Sequence, residues 1–281
     1  MFEREVKVAI LDMNNNTPNE GMRCIKDMLV IQQRVMQIKL TYEVFDVRHL
    51  CELPDLSYDI YISTGGPGSP FDGEGSDWEN AYFELIQQIW QHNKQVENIK
   101  KYIFFICHSF QLMCRYFKLG KITEKASMAF GVTQIEKTSI GKEESLFKLL
   151  DNDFYVADFR SFQVIEPNEK LLGNINASIL TYEVKEDAEV AGIRAVTAIR
   201  LSPEMIGTQF HPEADPSGMY IHFQKPEKKE FIINKYGEEK YRNMLADFEN
   251  PNKINKTYNA VLPSFLREAV NGLFSGKTVN V

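Results

Sequence analysis

A cysteine near the middle of the chain stands where a strand is predicted to turn into a helix. Five apolar or aromatic residues, 102–106, run into Cys107, and apolar residues then recur at helical spacing at Phe110, Met113 and Cys114. A side chain at such a corner leaves the carboxyl edge of the sheet and lies in the field of the helix N-terminus, which favours the nucleophilic thiolate. A lone cysteine at such a joint is more often a small apolar filler, so nucleophilic chemistry requires a base from elsewhere.

A histidine and a carboxylate further along the chain could supply that base. A short apolar strand is predicted to end at Phe210, and His211, Pro212 and Glu213 follow it. Pro212 ends strand pairing and stiffens the turn, which holds the imidazole and the carboxylate close together. Glu213 can then hold one ring nitrogen of His211 while the other faces the thiol of Cys107. This order of nucleophile, base and orienting carboxylate predicts covalent catalysis through a cysteine.

A glycine-rich loop is predicted to reach the same edge of the sheet. The apolar segment 58–63 indicates a strand, which delivers Gly65 and Gly66 within the sequence STGGPGSP. Glycines let backbone amides approach a ligand without a Cβ in the way, which suits the stabilisation of a tetrahedral oxyanion. Without the cysteine, the same residues would indicate an ordinary turn.

The order of elements predicts an α/β fold that brings these three segments together. Residues 6–12 indicate a buried strand, a capped helix follows, and residues 41–47 indicate the next strand. This rhythm predicts a doubly wound, mostly parallel sheet with helices on both faces and with ligands at the carboxyl ends of its strands. Beyond Gly120, short alternating segments predict a mixed or antiparallel part of the sheet, which carries the chain back to His211.

The nucleophile and base segments resemble the motifs of the class I glutamine amidotransferases, G-x-C-x-G-x-Q and x-F-H-P-E. Cys107 and Gln111 in FICHSFQ match the first motif, and FHPE at residues 210–213 matches the second. The loop STGGPGSP is similar to the oxyanion loop of the GMP-synthetase-like branch. The resemblance covers residues 6–213 and implies the flavodoxin-like fold of that family.

The resemblance implies that the chain hydrolyses the side-chain amide of glutamine through a cysteinyl thioester and passes ammonia to an acceptor site on another chain. It implies Cys107 as the nucleophile, His211 as the proton carrier and Glu213 as its partner. The glycine loop lacks the lysine of a Walker motif, so no ATP-dependent synthetase half is expected here. The implied oxyanion and substrate contacts are Gly65, Gly66, the backbone amide of His108, Gln111, and Ser161 with Phe162, which lie where the family often has a Ser-His pair.

Two positions near the cysteine depart from the family pattern. The glycine two residues before the nucleophile is replaced by Phe105, and the glycine two residues after it by Ser109. Side chains there crowd a strained elbow, so either the elbow is rebuilt with Phe105 in the core, or the site is slow or silent. His108 is an alternative base, of the kind used by the intracellular-peptidase-like branch of the superfamily, although that branch does not explain the FHPE segment.

Three functions therefore stay open. The glutaminase reaction of an amidotransferase is the favoured interpretation. A γ-glutamyl hydrolase or peptidase would use the same Cys107, His211 and Glu213 on another γ-linked amide. A catalytically silent, amidotransferase-like binding or regulatory module would explain the residues at the altered positions 105, 109 and 162.

The composition predicts a soluble, cytoplasmic protein without metal or cofactor. The 281 residues carry a formal net charge of −7, and no basic patch is interleaved with aromatic residues, which argues against nucleic-acid binding. No apolar run is long enough for a membrane span, and the first residues do not indicate an export signal. The four cysteines have no CxxC spacing and no histidine cluster, which argues against a zinc site or a disulfide framework.

The last part of the chain leaves the family pattern. We expect a family domain over residues 1–215 and a helical extension over residues 216–281 that packs on the same domain. Residues 227–248 and 258–274 are typical of amphipathic helices. The extension could also form a homodimer face or contact a separate synthetase subunit.

Overall fold

The computed structural model describes residues 5–185 and 192–275, and the nine strands within them form one sheet. The strands are β1 (Glu5–Asp12), β2 (Lys39–Asp46), β3 (Ile60–Ser63), β4 (Tyr102–Ile106), β5 (Lys121–Lys137), β6 (Asp153–Ile165), β7 (Ser178–Glu183), β8 (Val196–Ser202) and β9 (Met205–Thr208). The α-helices are α1 (Glu20–Met36), α2 (Val47–Leu50), α3 (Asp77–Lys94), α4 (His108–Tyr116), α5 (Ser139–Glu143), α6 (Glu169–Ile175), α7 (Pro216–Gln224), α8 (Pro226–Tyr236), α9 (Glu238–Glu249) and α10 (Ile254–Ser275).

The sheet has a parallel half and an antiparallel half. Its strand order is β2-β1-β3-β4-β9-β8-β6-β5-β7. The pairs from β2 across to β9 are parallel, and the other pairs are antiparallel, including a second pairing of β7 with β8. Strand β9 joins the halves because it lies parallel to β4 and antiparallel to β8. The carboxyl ends of β1, β3, β4 and β9 therefore lie at one edge, where the predicted site residues follow their strands.

Helices cover both faces of the parallel half, which confirms the predicted fold class. Val8 and Ile10 of β1 belong to a core formed with α1 and α10, whereas Ala9 and Leu11 belong to a second core formed with α3 and α4. Both faces of β1 are thus buried. This double burial explains why the strands of this half are nearly continuous apolar runs.

The helices after residue 215 pack on the sheet. Helix α10 contributes Val261, Phe265 and Leu266 to the core that contains Val8, and α7, α8 and α9 form a third core against β5 and β6. The prediction of one helix over residues 227–248 is wrong. Two helices, α8 and α9, occupy that segment because Gly237 between them has a φ of 88°, outside the helical region.

The described ranges contain no helix that is long and apolar enough to cross a membrane. In the same ranges, histidine, cysteine and acidic side chains do not gather into a group of three or more that could hold a metal ion.

Candidate active site

Cys107 is held in a strained backbone conformation at the end of β4. Its φ is 48° and its ψ is −100°, which places it in a region that residues with a side chain rarely adopt. The Cys107 amide donates to the Thr208 carbonyl at 2.8 Å, and the Cys107 carbonyl accepts from the Gln111 amide at 3.1 Å. Such strain costs on the order of 1–3 kcal/mol and persists only where the surroundings enforce it. The corner predicted from the sequence is therefore a tight turn between strand β4 and helix α4.

Phe105 fits at this elbow because the neighbouring strand supplies the missing space. Phe105 is fully buried in the core with α3 and α4, and it lies opposite Gly207 of β9. A Cβ at Gly207 would lie 3.2 Å from Phe105 Cβ and 2.8 Å from Phe110 Cδ2, so that strand position requires a glycine. The elbow therefore has Phe105 in the core and not in the site.

Ser109 is also accommodated by its neighbours. Its hydroxyl donates to the Thr64 carbonyl at 2.6 Å and lies 2.7 Å from the Ser63 hydroxyl. These contacts fasten the first turn of α4 to the end of β3. The serine that replaces the family glycine thus links the cysteine segment to the glycine loop.

His211 and Glu213 lie beside Cys107. Nδ1 of His211 is 2.8 Å from Oε1 of Glu213, whose side chain is buried, and the His211 amide donates to the Ala157 carbonyl at 2.9 Å. A Cβ placed on Gly65 would lie 2.8 Å from His211 Cε1 and 3.5 Å from Cys107 Cβ, so the imidazole and the cysteine converge on this glycine.

The charges around His211 favour its protonated form. Burial alone would lower the pKa of His211, but the Glu213 carboxylate and the Cys107 thiol outweigh burial and raise this pKa well above its ordinary value. An imidazolium at this position would face a thiolate on one side and a carboxylate on the other. The geometry therefore suits proton transfer between sulfur and Nε2.

Arginines fix the glycine loop in place. A Cβ on Gly66 would lie 2.2 Å from the Met13 carbonyl oxygen, so the loop packs directly on the backbone after β1. Nη1 of Arg48 donates to the Pro67 carbonyl at 2.6 Å and to the Met13 carbonyl at 3.2 Å. Arg115 donates to the Pro70 carbonyl further along the loop. Gly66 and Pro67 line the cavity that also contains Cys107.

His108 lies outside that cavity. Its side chain is buried, and burial together with the positive charges of Arg48 and Arg115 lowers the pKa of His108 to about 3. The imidazole is therefore neutral at neutral pH, and the arginines oppose its protonation. This environment disfavours the alternative in which His108 acts as the base for Cys107.

The buried neutral His108 predicts a specific acid sensitivity. Its pKa is near 6.5 in the unfolded chain and about 3 in the folded chain, so the unfolded chain binds the proton first. The full stability is present above pH 6.5 and is lost as pH falls toward 3, with a loss of about 2 kcal/mol at pH 5. Urea unfolding of the wild type and of His108→Gln at pH 7.5 and pH 5 measures this effect. The variant should lose less stability between the two pH values, and an equal loss in both proteins would contradict the prediction.

Gln111 and Phe162 contact each other instead of lining the cavity. Nε2 of Gln111 donates to the Phe162 carbonyl and to Oε1 of Gln209, each at 3.1 Å, and Gln111 is buried. Ser161, next to Phe162, does not line the cavity either. From strand β6 it is Phe159 that faces the site, with its ring centroid 6.0 Å from that of His211. The implied substrate contacts at Gln111, Ser161 and Phe162 are therefore not brought to the cavity wall.

Sequence reasoning missed two residues of the site, Gln209 and Phe159. Nε2 of Gln209 lies 3.6 Å from Sγ of Cys107, and the Gln209 side chain is buried. Gln209 stands two residues before His211, and its polar type within an apolar strand end was a usable signal. No sequence feature indicated that Phe159 is part of the site, because an aromatic residue in a β-rich segment is normally part of a core.

The cavity above the cysteine has a volume of about 280 Å³. Its floor contains Cys107, His211 and Glu213, and one wall comes from the loop after β1 and the start of α1, including Asn14 and Glu20. The other wall comes from the helices after residue 215: Met219, His222 and Phe223 of α7 and Lys228 of α8. Helices α7 and α8 thus contribute to the lining of the cavity.

The sequence matches the profile of one protein family over most of its length. The profile of the family described as glutamine amidotransferase class-I matches residues 26–227. The chain belongs to the class I glutamine amidotransferase family, which confirms the family predicted from its motifs. A search of curated proteins found no match.

Solved structures share the fold at low sequence identity. A glutamine amidotransferase from Thermotoga maritima has a TM-score of 0.65 at 18% identity, with 94% of this chain and 98% of that chain covered. The protein SMU.1228c has a TM-score of 0.63 at 17% identity, with 94% and 100% covered. The glutaminase domain of Trypanosoma brucei CTPS with bound acivicin has a TM-score of 0.56 at 15% identity, with 95% and 94% covered. These likenesses show a common fold.

Proposed function

We propose that this chain is a glutaminase subunit, which hydrolyses the side-chain amide of glutamine and delivers ammonia to an acceptor site on another chain. The observation that carries the proposal is the convergence of Cys107, His211 and Glu213 on one cavity floor beside the glycine loop. Family membership supports the same reaction class.

The chemistry follows from the position of each group. The Cys107 thiolate attacks the carboxamide carbon, and the electron pair of the C=O bond moves to oxygen. The backbone amides of the loop at Gly65 and Gly66 lie in a region suited to meet that oxyanion. His211 gives its proton to the departing nitrogen, ammonia leaves, and a γ-glutamyl thioester remains. Water then attacks the thioester with His211 as base, which releases glutamate and restores the thiolate.

Glu213 orients the base in this scheme. Its carboxylate accepts from Nδ1–H of His211, so the other ring nitrogen is the one that exchanges a proton with sulfur or substrate. The buried carboxylate also stabilises the imidazolium that forms at each proton transfer.

A γ-glutamyl hydrolase is the second candidate function. The cavity has a volume of about 280 Å³, and residues of α7 and α8 line it together with Cys107 and His211. A leaving group larger than ammonia could contact those helices. The same nucleophile and base would serve both reactions.

The test is glutamate release by the purified chain. Wild-type protein is incubated with glutamine and with a panel of γ-glutamyl peptides and anilides, with and without a candidate acceptor subunit. We expect glutamine to be hydrolysed slowly by the isolated chain and faster with the acceptor. Full-rate hydrolysis of glutamine without a partner would contradict the coupling, and preference for γ-glutamyl peptides would establish the second candidate.

Labelling with a glutamine-mimicking electrophile tests the silent alternative. Peptide mapping should find the adduct on Cys107 and not on the exposed Cys51, which serves as an internal control. No adduct on Cys107, under conditions that label an active amidotransferase, would mean that the chain is a binding module.

A further inference from the structure

Two buried glutamines connect the sulfur of Cys107 to the backbone of β6. Nε2 of Gln209 lies 3.6 Å from Cys107 Sγ, within the range of an N–H···S hydrogen bond. Oε1 of Gln209 accepts from Nε2 of Gln111 at 3.1 Å, and the same Nε2 donates to the Phe162 carbonyl at 3.1 Å. Both glutamine side chains are at most 3% exposed. This chain of contacts is called the amide relay below.

The relay has only one consistent orientation. A backbone carbonyl carries no hydrogen and can only accept, so Gln111 must turn its NH₂ group toward Phe162. The second hydrogen of that NH₂ group needs an acceptor, which is Oε1 of Gln209. If Gln209 were reversed, two NH₂ groups would face each other without an acceptor between them. Gln209 must therefore present its own NH₂ group to the sulfur.

We infer that Gln209 is a dedicated hydrogen-bond donor to the Cys107 thiolate, and that Gln111 and the Phe162 carbonyl are positioning groups that hold this donor in the correct orientation. A negatively charged sulfur is a stronger acceptor than a neutral thiol, so the relay favours the reactive form. The buried setting strengthens the contact because water does not compete for the donor. The inference deepens the proposed function, on which it rests for the role of Cys107.

The relay affects both the formation and the hydrolysis of the thioester. When Cys107 attacks the amide carbon, its negative charge leaves sulfur and the Gln209 contact weakens. When water hydrolyses the thioester, the C–S bond breaks and the electron pair returns to sulfur. The Gln209 N–H group then stabilises the departing thiolate, which makes sulfur a better leaving group.

The test follows the thiol itself and not the turnover of glutamine. Gln209→Met removes the donor with little change of volume, and alkylation of Cys107 by iodoacetamide is followed by mass spectrometry from pH 5 to pH 10. At pH 7 the rate should fall about tenfold, with convergence on the wild-type rate at high pH, where every thiol is ionised. A purely structural defect would lower or raise the rate by the same factor at every pH. Cys51 is exposed, and its alkylation in the same sample should not change.

Two further variants test the orientation argument. Gln209→Glu replaces the donor by a carboxylate, so the rate at pH 7 should fall further than in Gln209→Met. Gln111→Met frees Gln209 to turn its oxygen toward sulfur, and this variant should show a smaller fall. The thermal midpoint of each variant is measured alongside, so that unfolding is recognised.

Specific outcomes would overturn the inference. If the pH profile of Gln209→Met superimposes on that of the wild type, Gln209 does not stabilise the thiolate. If Gln209→Met does not fold, a wild-type profile in Gln111→Met overturns the relay. The proposed function fails separately, since a wild-type protein that does not hydrolyse glutamine could still show the predicted alkylation profiles.

Discussion

Replacing Cys107 with serine is expected to lower the release of glutamate from glutamine by about 10⁴-fold or more. A serine hydroxyl is far harder to ionise than a thiol, and the groups around this position are built to stabilise an anion on sulfur: His211 on one side and the Gln209 amide on the other. Neither contact is strong enough to ionise a serine hydroxyl. The measurement is initial-rate glutamate production by the purified variant with saturating glutamine.

The chain offers a matched control for this substitution. Cys51 is exposed and is not among the residues that line the cavity. Cys51→Ser makes the same chemical change outside the site, and it should retain wild-type activity. Activity retained in Cys107→Ser would remove Cys107 from the mechanism, whatever its place at the elbow.

Replacing Gly65 with alanine is expected to lower the same activity by about 10²- to 10³-fold while the protein stays folded. The added Cβ would lie 2.8 Å from Cε1 of His211, so the imidazole or the loop must move. Gly65 is not among the glycines with positive φ, so alanine brings no backbone strain of its own. The loss should therefore appear in the maximal rate much more than in the free energy of unfolding.

Gly173 provides the control for Gly65. It lies in helix α6, and a Cβ there would meet no atom within 4 Å. Gly173→Ala should leave activity unchanged and should keep or slightly raise stability, because alanine is the better helix former. If Gly65→Ala kept full activity with a folded protein, the loop would have to be looser around His211 than its packing indicates.

The sequence was enough to predict the framework of the site because each part depends on local signals. An apolar run that ends in Cys107 and a strand that ends before His211 both place a side chain at the carboxyl edge of a parallel sheet. The consequence of Phe105 could not be derived in the same way. Its accommodation depends on Gly207 across the sheet, and strand register between distant segments is not visible in one sequence.

The orientation of Gln111 and the packing of the helices after residue 215 could not be predicted from the sequence. One helical turn after Cys107, Gln111 was expected to face the substrate, but its side chain turns toward Gln209 and the Phe162 carbonyl. Amphipathic patterns predicted that the chain after residue 215 was helical, without indicating which surface those helices cover. Met219 and Phe223 pack against the β6 side of the site. This contact joins segments that are distant in the sequence, so it does not follow from the hydrophobic periodicity of the helices.

The packing of α10 limits how far this chain can be shortened. The family-matched segment, residues 26–227, excludes both β1 and α10, yet both elements belong to the same hydrophobic core, to which Val8 and Phe265 contribute. Trimming the chain to that segment would remove an interior strand from the sheet and expose apolar core side chains to water.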